Sequence, residues 1–264
     1  MLEAYAQNIV PAYSGEIVPR TEAAPKLHEP ATASDASVSA LKSSPSWEPV
    51  QRQIEEIQLE DSRTLLQDFI ERGIALGCLI LASPILLLLA ICIRLDSPGS
   101  PIFRHYRVGK NGKLFRFYKF RTLYADAKQR FPERYSYKYT PDDLDALRFK
   151  VENDPRVTRA GRFLRRTTLD ELPNFWNVVK GDMALVGPRP EIPEMLQYYR
   201  PDYLIKFCVK PGVTGLAQIS GRGRLLFRAT EELDARSVVE RSPLTDVKIM
   251  FRTIYLIFKM DGAF

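Results

Sequence analysis

Thr167-Thr168-Leu169-Asp170-Glu171-Leu172-Pro173 sets two acids side by side, directly after a cluster of arginines. Adjacent carboxylates beside fixed positive charge suit phosphoryl chemistry. One carboxylate, Asp170 or Glu171, attacks phosphorus or activates a nucleophile. The other holds Mg²⁺, which neutralises phosphate charge and offsets carboxylate–phosphate repulsion. A structural reading competes, because Thr168-x-x-Glu171 also fits a helix capping box with Asp170 favourable at the helix start. Pro173 limits that reading, since inside such a helix it removes a hydrogen bond.

Cations come from three stretches. Alternation over 114–123, after the Gly109-Lys110-Asn111-Gly112 turn, predicts a strand on which Lys119 and Arg121 share one face. Two cations so placed can grip one diphosphate, and a solvated edge strand explains them equally well. Arg156, Arg159, Arg162 and Arg165 recur every three residues and Arg166 follows. A helix over 158–166 then carries a basic stripe suited to lipid, nucleotide or nucleic-acid phosphates, or simply to solvent. Nucleic acid is the weaker partner, because the stripe is only about three turns long and no recognisable nucleic-acid-binding motif surrounds it. Val186-Gly187-Pro188-Arg189-Pro190 holds an arginine between two prolines of fixed φ, which lowers the cost of ordering it on a phosphate unless the segment is a plain turn. Lys210-Pro211-Gly212-Val213-Thr214-Gly215 and Gly221-Arg222-Gly223-Arg224 are loops whose backbone can approach an anion or merely turn the chain.

The elements that must hold these groups begin with Gly73 to Ile93, 21 uncharged residues bounded by Arg72 and Arg94. At 1.5 Å per residue such a helix reaches about 30 Å, enough to cross a bilayer core. Its centre is Ser83-Pro84, and a proline in a helix interior costs roughly 3 kcal/mol, so a bend is expected. Either a kinked helix spans, or a helix-break-helix enters and leaves by one face. Arg63 and Arg72 before it, with Arg94, Arg104, Arg107 and Lys110 after it, favour the cytosolic side for both ends. The competing assignment is a buried core helix of a soluble protein. Further on, the pattern is α+β, with a helix over 173–180, a short strand over 183–186 and a closing helix over 246–260. That last helix gathers Val247, Met250, Phe251, Ile254, Tyr255 and Phe258 on one face, to pack on the core or lie at a lipid surface.

Of 38 basic and 32 acidic residues, residues 1–60 hold 4 and 9, which leaves 34 against 23 on 61–264. Prolines at 11, 19, 25, 30, 45 and 49 mark 1–60 as a disordered tail in which no helix beyond two or three turns fits easily. The first twenty residues lack a basic segment followed by a compact apolar one and do not resemble a secretory signal. With 45% hydrophobic and 27% charged residues, the chain is neither wholly disordered nor a polytopic membrane protein. Three cysteines make no disulfide framework and no zinc site.

Taken in order, the apolar helix with Ser-Pro, KFRT, RRTTLDELPNFWNVVKGDM, LVGPRP, KPGVTGLAQISGRG and the DVKI helix resemble the bacterial sugar transferase family, the monotopic phosphoglycosyl transferases. The resemblance covers roughly 65–264. It implies a helix-rich α+β cytosolic catalytic domain (98–264), a re-entrant membrane helix segment (61–97) broken at Ser83 and Pro84, and amphipathic interfacial helices. The implied reaction moves a sugar 1-phosphate from a UDP-sugar to undecaprenyl phosphate, with release of UMP and a need for Mg²⁺. Asp170 resembles the family's nucleophile and Glu171 its Mg²⁺ ligand. Arg165, Arg189 and Lys119, with Arg121, are similar to its phosphate-holding cations. The implied location is the cytosolic face of the bacterial inner membrane. Partners are then the UDP-sugar, the polyprenyl phosphate and the bilayer, with a homodimer left open and nucleic acid not among them. Leu233-Asp234-Ala235-Arg236-Ser237 stands where the family often has LDxYY, so any contact made by those tyrosines is missing. The multi-helix N-terminal domain of some relatives has no expected counterpart in residues 1–60. The alternative is a membrane-tethered basic module without catalysis, which explains the charge and the apolar helix but not the acidic pair.

Overall fold

The computed structural model describes residues 47–259 except 58, 60, 62, 149–152, 222 and 223. Helix α1 (Trp47–Glu56) precedes the long α2 (Leu65–Asp96) and a hairpin of β1 (Ile102–Val108) and β2 (Leu114–Phe120). After the short α3 (Ala127–Arg130) and α4 (Pro141–Ala146) come α5 (Arg159–Thr167), α6 (Asn174–Lys180) and β3 (Ala184–Val186). The chain closes with β4 (Gly212–Thr214), α7 (Leu216–Gly221), α8 (Phe227–Val239) and α9 (Pro243–Lys259). The class is α+β: β1 and β2 pair antiparallel, β3 and β4 pair parallel, and helices pack around both small sheets.

Helix α2 starts at a capping box. The Thr64 hydroxyl accepts from the Gln67 N–H at 3.2 Å, and the Gln67 side chain accepts from the Thr64 N–H at 2.9 Å. Two donors that a helix start leaves open are thereby satisfied. Ser83 and Pro84, expected to break the helix, lie inside one continuous element. The reason is local. Pro84 has no N–H for the Ile80 carbonyl, and the Ser83 hydroxyl donates to that carbonyl at 2.8 Å instead. The pair therefore carries its own replacement for the missing helical bond. Leu81 is 82% exposed and Leu87 65%, so α2 is not the core helix of a soluble domain.

Both ends of α2 are nevertheless seated on the domain. Ala75 is buried with Phe115, Phe117, Val178, Met183 and Leu185. Leu89 and Ile93 are buried with Phe120 and Leu164, and Leu86 and Ala90 pack against the same cluster. Glu71 accepts from the Leu185 N–H at 2.8 Å, and Asp68 pairs with Lys210. Arg63, just before α2, pairs with Glu71 and donates to the Val186 carbonyl at 3.0 Å. Asp246 of α9 receives Arg241 at 3.2 Å and lies 4.0 Å from Arg63. The start of α2, β3 and α9 thus share one ionic cluster.

The tail expected over 1–60 is corrected at its end, while residues 1–46 lie outside the described residues. Helix α1 places Trp47 and Ile54 in the largest core cluster with Leu147, Ile192, Met195, Leu204, Phe207 and Phe227. Pro45 and Pro49 do not forbid this: Pro49 falls in the first turn, where a missing N–H breaks no intrahelical bond. Along α9, Ile249 and Leu256 turn inward, whereas Phe251, Ile254, Tyr255 and Phe258 remain exposed. Most of the apolar face expected on this helix therefore points away from the core.

Ile54 is 2% exposed, and Ile54→Ala is expected to cost about 2–4 kcal/mol in reversible unfolding; an effect under about 0.5 kcal/mol would return α1 to the tail. The Asp246 cluster predicts a pH signature. Burial, together with the negative charges of Glu71 and Asp61 and against the pull of Arg63, raises the Asp246 pKa to about 6. A carboxyl whose pKa rises on folding binds its proton more tightly when folded. Its contribution is therefore most favourable below about pH 4 and is lost as pH climbs towards about 6. Thermal melts of wild type and Asp246→Asn between pH 4 and 7 should show the variant losing less stability across that window, and parallel curves would contradict the assignment.

Candidate active site

The acidic pair sits on a single 3-10 turn, Leu169–Glu171, entered through Thr168 in the left-handed region (φ 60°). Thr168 makes no side-chain capping bond, so the capping-box alternative is not realised. What fixes the turn is packing: Leu169 rests on the cluster of Leu89, Ile93, Phe120 and Leu164, and β2 and α5 both border it. Asp170 is buried. Glu171 stays partly exposed and meets the Arg189 guanidinium at 3.5 Å.

The basic helix α5 is held at its start by two caps. Thr158 accepts from the Gly161 N–H at 2.9 Å, and Asp96, the last residue of α2, accepts from the Ala160 N–H at 2.9 Å. Gly161 is obligatory there, because a Cβ would lie 2.0 Å from the Thr122 carbonyl oxygen. That close approach lets the Arg165 Nε donate to the Thr122 hydroxyl at 3.1 Å, so the threonine of KFRT orients an arginine of the next motif. Arg156 does not join the stripe. It precedes the helix and is buried in a two-pronged bond to Asp154, with contacts of 2.7–3.1 Å. Burial works against the Asp154 charge, but the Arg156 hydrogen bonds and charge, aided by Arg165, hold its carboxyl below the usual range. The stripe on the helix is Arg159, Arg162, Arg165 and Arg166.

Lys119 is buried near the end of β2 with its ammonium 5.7 Å from the centre of the Phe103 ring. Arg121 lies beyond the strand and has another task. Its guanidinium donates to the Ser97 carbonyl at 2.7 Å, the Ser97 hydroxyl at 3.0 Å and the Pro98 carbonyl. Its assignment as a phosphate ligand beside Lys119 is therefore replaced by a clamp on the exit of α2. Burial, then the neighbouring Arg94, lowers its pKa. The structure thus sets the turn of Asp170 and Glu171 against β2 and the Arg165 helix, brings Arg189 to Glu171, and turns Arg121 and Arg156 to structural use.

Two further groups shape the site. Asn177 of α6 is fully buried. Its side-chain amide accepts from the Tyr118 N–H at 3.1 Å and donates to the Arg116 carbonyl at 2.6 Å. It does for the open edge of β2 what a third strand would do. The glycines of the later loops have a packing role. A Cβ on Gly212 would lie 2.1 Å from the Gly187 nitrogen, and one on Gly215 would lie 2.1 Å from the Gly187 oxygen. They let β4 close onto the loop that carries Arg189. Residues 222 and 223 of the second glycine-rich loop lie outside the described residues.

Comparison with known proteins adds the decisive match. The model of the family described as bacterial sugar transferase matches residues 62–260. The chain belongs to that family. It is 40% identical over 190 residues to the UDP-galactose-lipid carrier transferase of Erwinia amylovora, covering 72% of this chain and 40% of that protein. It is 38% identical over 200 residues to the undecaprenyl-phosphate galactose phosphotransferase of Salmonella typhimurium, covering 74% and 42%. It is also 35% identical to the exopolysaccharide production protein ExoY of Rhizobium meliloti, covering 70% and 82%. The chain thus spans about two fifths of the first two relatives and about four fifths of the third. Helix α1 lies ahead of the family match, so its packing is a feature that the shared motifs did not announce.

Asn177→Ala leaves the Tyr118 N–H and the Arg116 carbonyl without their buried partner, a change expected to cost about 1–3 kcal/mol. Hydrogen exchange should show faster loss of protection at Tyr118 than at the β1-paired amides. Equal protection in wild type and variant would contradict the edge-sealing role.

Proposed function

We propose that this bacterial sugar transferase moves a sugar 1-phosphate from a UDP-sugar to undecaprenyl phosphate and releases UMP, as an early step of exopolysaccharide, capsule or related glycan assembly. The observation that carries this reading is the placement of the acidic pair. Asp170 and Glu171 sit on a turn seated against the end of an exposed apolar helix, with Arg189 beside Glu171 and the Arg165 helix next to it. A water-soluble diphosphate and a lipid phosphate can meet there. The relatives' names, which include a lipid carrier transferase and an undecaprenyl-phosphate phosphotransferase, support the same substrates.

In the proposed chemistry a carboxylate oxygen of Asp170 attacks the sugar-bearing β-phosphorus of the UDP-sugar. The bond from that phosphorus to the bridging oxygen breaks, and UMP leaves with the electron pair. A phosphate oxygen of the polyprenyl phosphate then attacks the same phosphorus, and the Asp170 oxygen departs as carboxylate. Arg165 and Arg189 offset the repulsion between carboxylate and diphosphate, and poor screening beside the membrane strengthens them. Glu171, partly exposed beside Asp170, fits a Mg²⁺ that takes one or two protein carboxylates and keeps water or phosphate on its other positions. When bound, that ion supplies additional positive charge at the phosphates.

The same reading makes the protein monotopic, with its catalytic domain on the cytosolic face of the cytoplasmic membrane. Helix α2 packs on the domain at Ala75 and again from Leu86. The stretch between them is about 15 Å long, roughly half a bilayer core. The bond from Ser83 to the Ile80 carbonyl suits burial in lipid, where an unpaired carbonyl costs several kcal/mol. Exposed Phe163, Trp176 and the outer face of α9 supply apolar surface for the interface.

Two Asp170-centred steps imply that UMP appears without any lipid acceptor, at about one equivalent per enzyme. Asp170→Asn should abolish that burst, and Glu171→Gln should remove turnover while the fold survives. A full burst in Asp170→Asn would overturn the nucleophile assignment. For topology, cysteines at exposed positions 53 and 113 should both label from the cytosolic side only. Labelling of either from outside would overturn the monotopic arrangement.

A further inference from the structure

The loop that presents Arg189 is tied from behind by a chain of buried charges with no part in the chemistry proposed above. Asp234 of α8 is 0% exposed, Lys206 2% and Glu191 3%. Lys206 donates to Asp234 at 2.7 Å and to the Tyr199 hydroxyl at 3.0 Å. Tyr199 in turn donates to Glu191 at 2.9 Å. Glu191 also accepts from the Ile192 N–H at 2.8 Å and lies 3.8 Å from Arg107, which donates to the Pro190 carbonyl at 3.4 Å. The Asp234 carboxylate reaches out of this chain to accept from the Arg189 N–H at 3.3 Å.

That last bond has a particular mechanical value. Pro188 and Pro190 have no N–H, so the Arg189 amide is the only backbone donor in Pro188-Arg189-Pro190. The prolines fix their own φ, and the backbone angles of Arg189 remain to be set. A buried ion pair is a poor device for stability alone, since well-packed apolar residues of similar volume often do as well or better. Apolar residues, however, cannot supply a directed acceptor at the Arg189 N–H. We infer that Asp234, held in place by Lys206, is a positioning residue that sets the backbone of Arg189 and so aims its guanidinium at Glu171 and the incoming phosphate. Within the segment 233–237 the roles divide: Arg236 pairs outward with Glu240 at 2.8 Å, whereas Asp234 is fully buried behind the Arg189 loop.

This rests on the proposed phosphosugar transfer, and the test separates the two. In the full chain in lipid nanodiscs, Asp234→Leu/Lys206→Met removes the pair without stranding a charge. Its turnover of UDP-sugar and undecaprenyl phosphate should fall at least tenfold, and exchange of the 187–190 amide should accelerate. Introduced into Arg189→Ala, the same pair should cause no further loss, because both changes disable one group. Asp234→Asn/Lys206→Met keeps an amide oxygen for the Arg189 N–H and should recover most of the lost turnover. Losses that multiply with Arg189→Ala, or unaltered exchange at 187–190, would overturn the positioning role. If the leucine variant fails to fold, the asparagine variant decides: turnover as low as that of Arg189→Ala overturns the inference, and near-wild-type turnover upholds it. Failure of the proposed function is seen separately, as wild-type enzyme that forms no lipid product, and it leaves the exchange measurement standing.

Discussion

Leu169 ties the long apolar helix α2 to the position of the acidic pair. It packs where Leu89 and Ile93 of α2 meet Phe120 of β2 and Leu164 of α5, one residue before Asp170. Three of the elements that supply candidate ligands therefore meet at the cluster: Lys119 precedes Phe120, Arg165 follows Leu164, and Glu171 shares the turn of Leu169; Arg189 joins them through Glu171. In the proposed reaction the carboxylate meets both a soluble diphosphate and a lipid phosphate, which requires a set height above the bilayer. Seating its turn on the exposed apolar helix α2 is a direct way to fix that height. The Asp96 cap on α5 and the Arg121 clamp on Ser97 and Pro98 add polar ties at the same junction.

The second organising feature is how positive charge is divided. The diphosphate site proposed here needs cations that remain oriented without substrate. Here the orienting groups are largely neutral or paired: Thr122 holds Arg165, Glu171 faces Arg189, and Asp154 neutralises Arg156. Arg156, once paired, sits 5.2 Å from the centre of the Tyr135 ring and braces the chain entering α5. The buried charges behind Arg189 follow the same logic, since two cations, Lys206 and Arg107, balance two anions, Asp234 and Glu191.

Much of this was legible in the sequence wherever the signal was local. The Gly109–Gly112 turn with its alternating partner gave β2, Thr158 marked the start of α5, and the apolar run gave α2. The acidic pair and the Pro-flanked arginine were recognised from type and spacing. Long-range partnership was hidden. A spacing of three placed Arg156 on the helical stripe, although Asp154, two residues back, captures it before the helix begins. Arg121 matched the face of Lys119, but the strand ends one residue earlier and leaves it to grip the loop after α2. Proline content marked α1 as tail because the core groove that receives Trp47 and Ile54 is assembled largely from residues far along the chain, among them Leu147, Ile192 and Phe207. Asp234 stood out only as part of a degenerate motif, since nothing local shows that its partner is a backbone amide between two prolines.

The central claim is that Asp170 carries the phosphosugar between donor and lipid. Peptide mass spectrometry of enzyme quenched after exposure to UDP-sugar and Mg²⁺, without polyprenyl phosphate, tests it most directly. The account predicts a sugar-phosphate mass added to the peptide containing Asp170, removed when undecaprenyl phosphate is supplied. An adduct on any other residue, or lipid product formed by enzyme that never carries the adduct, would contradict it.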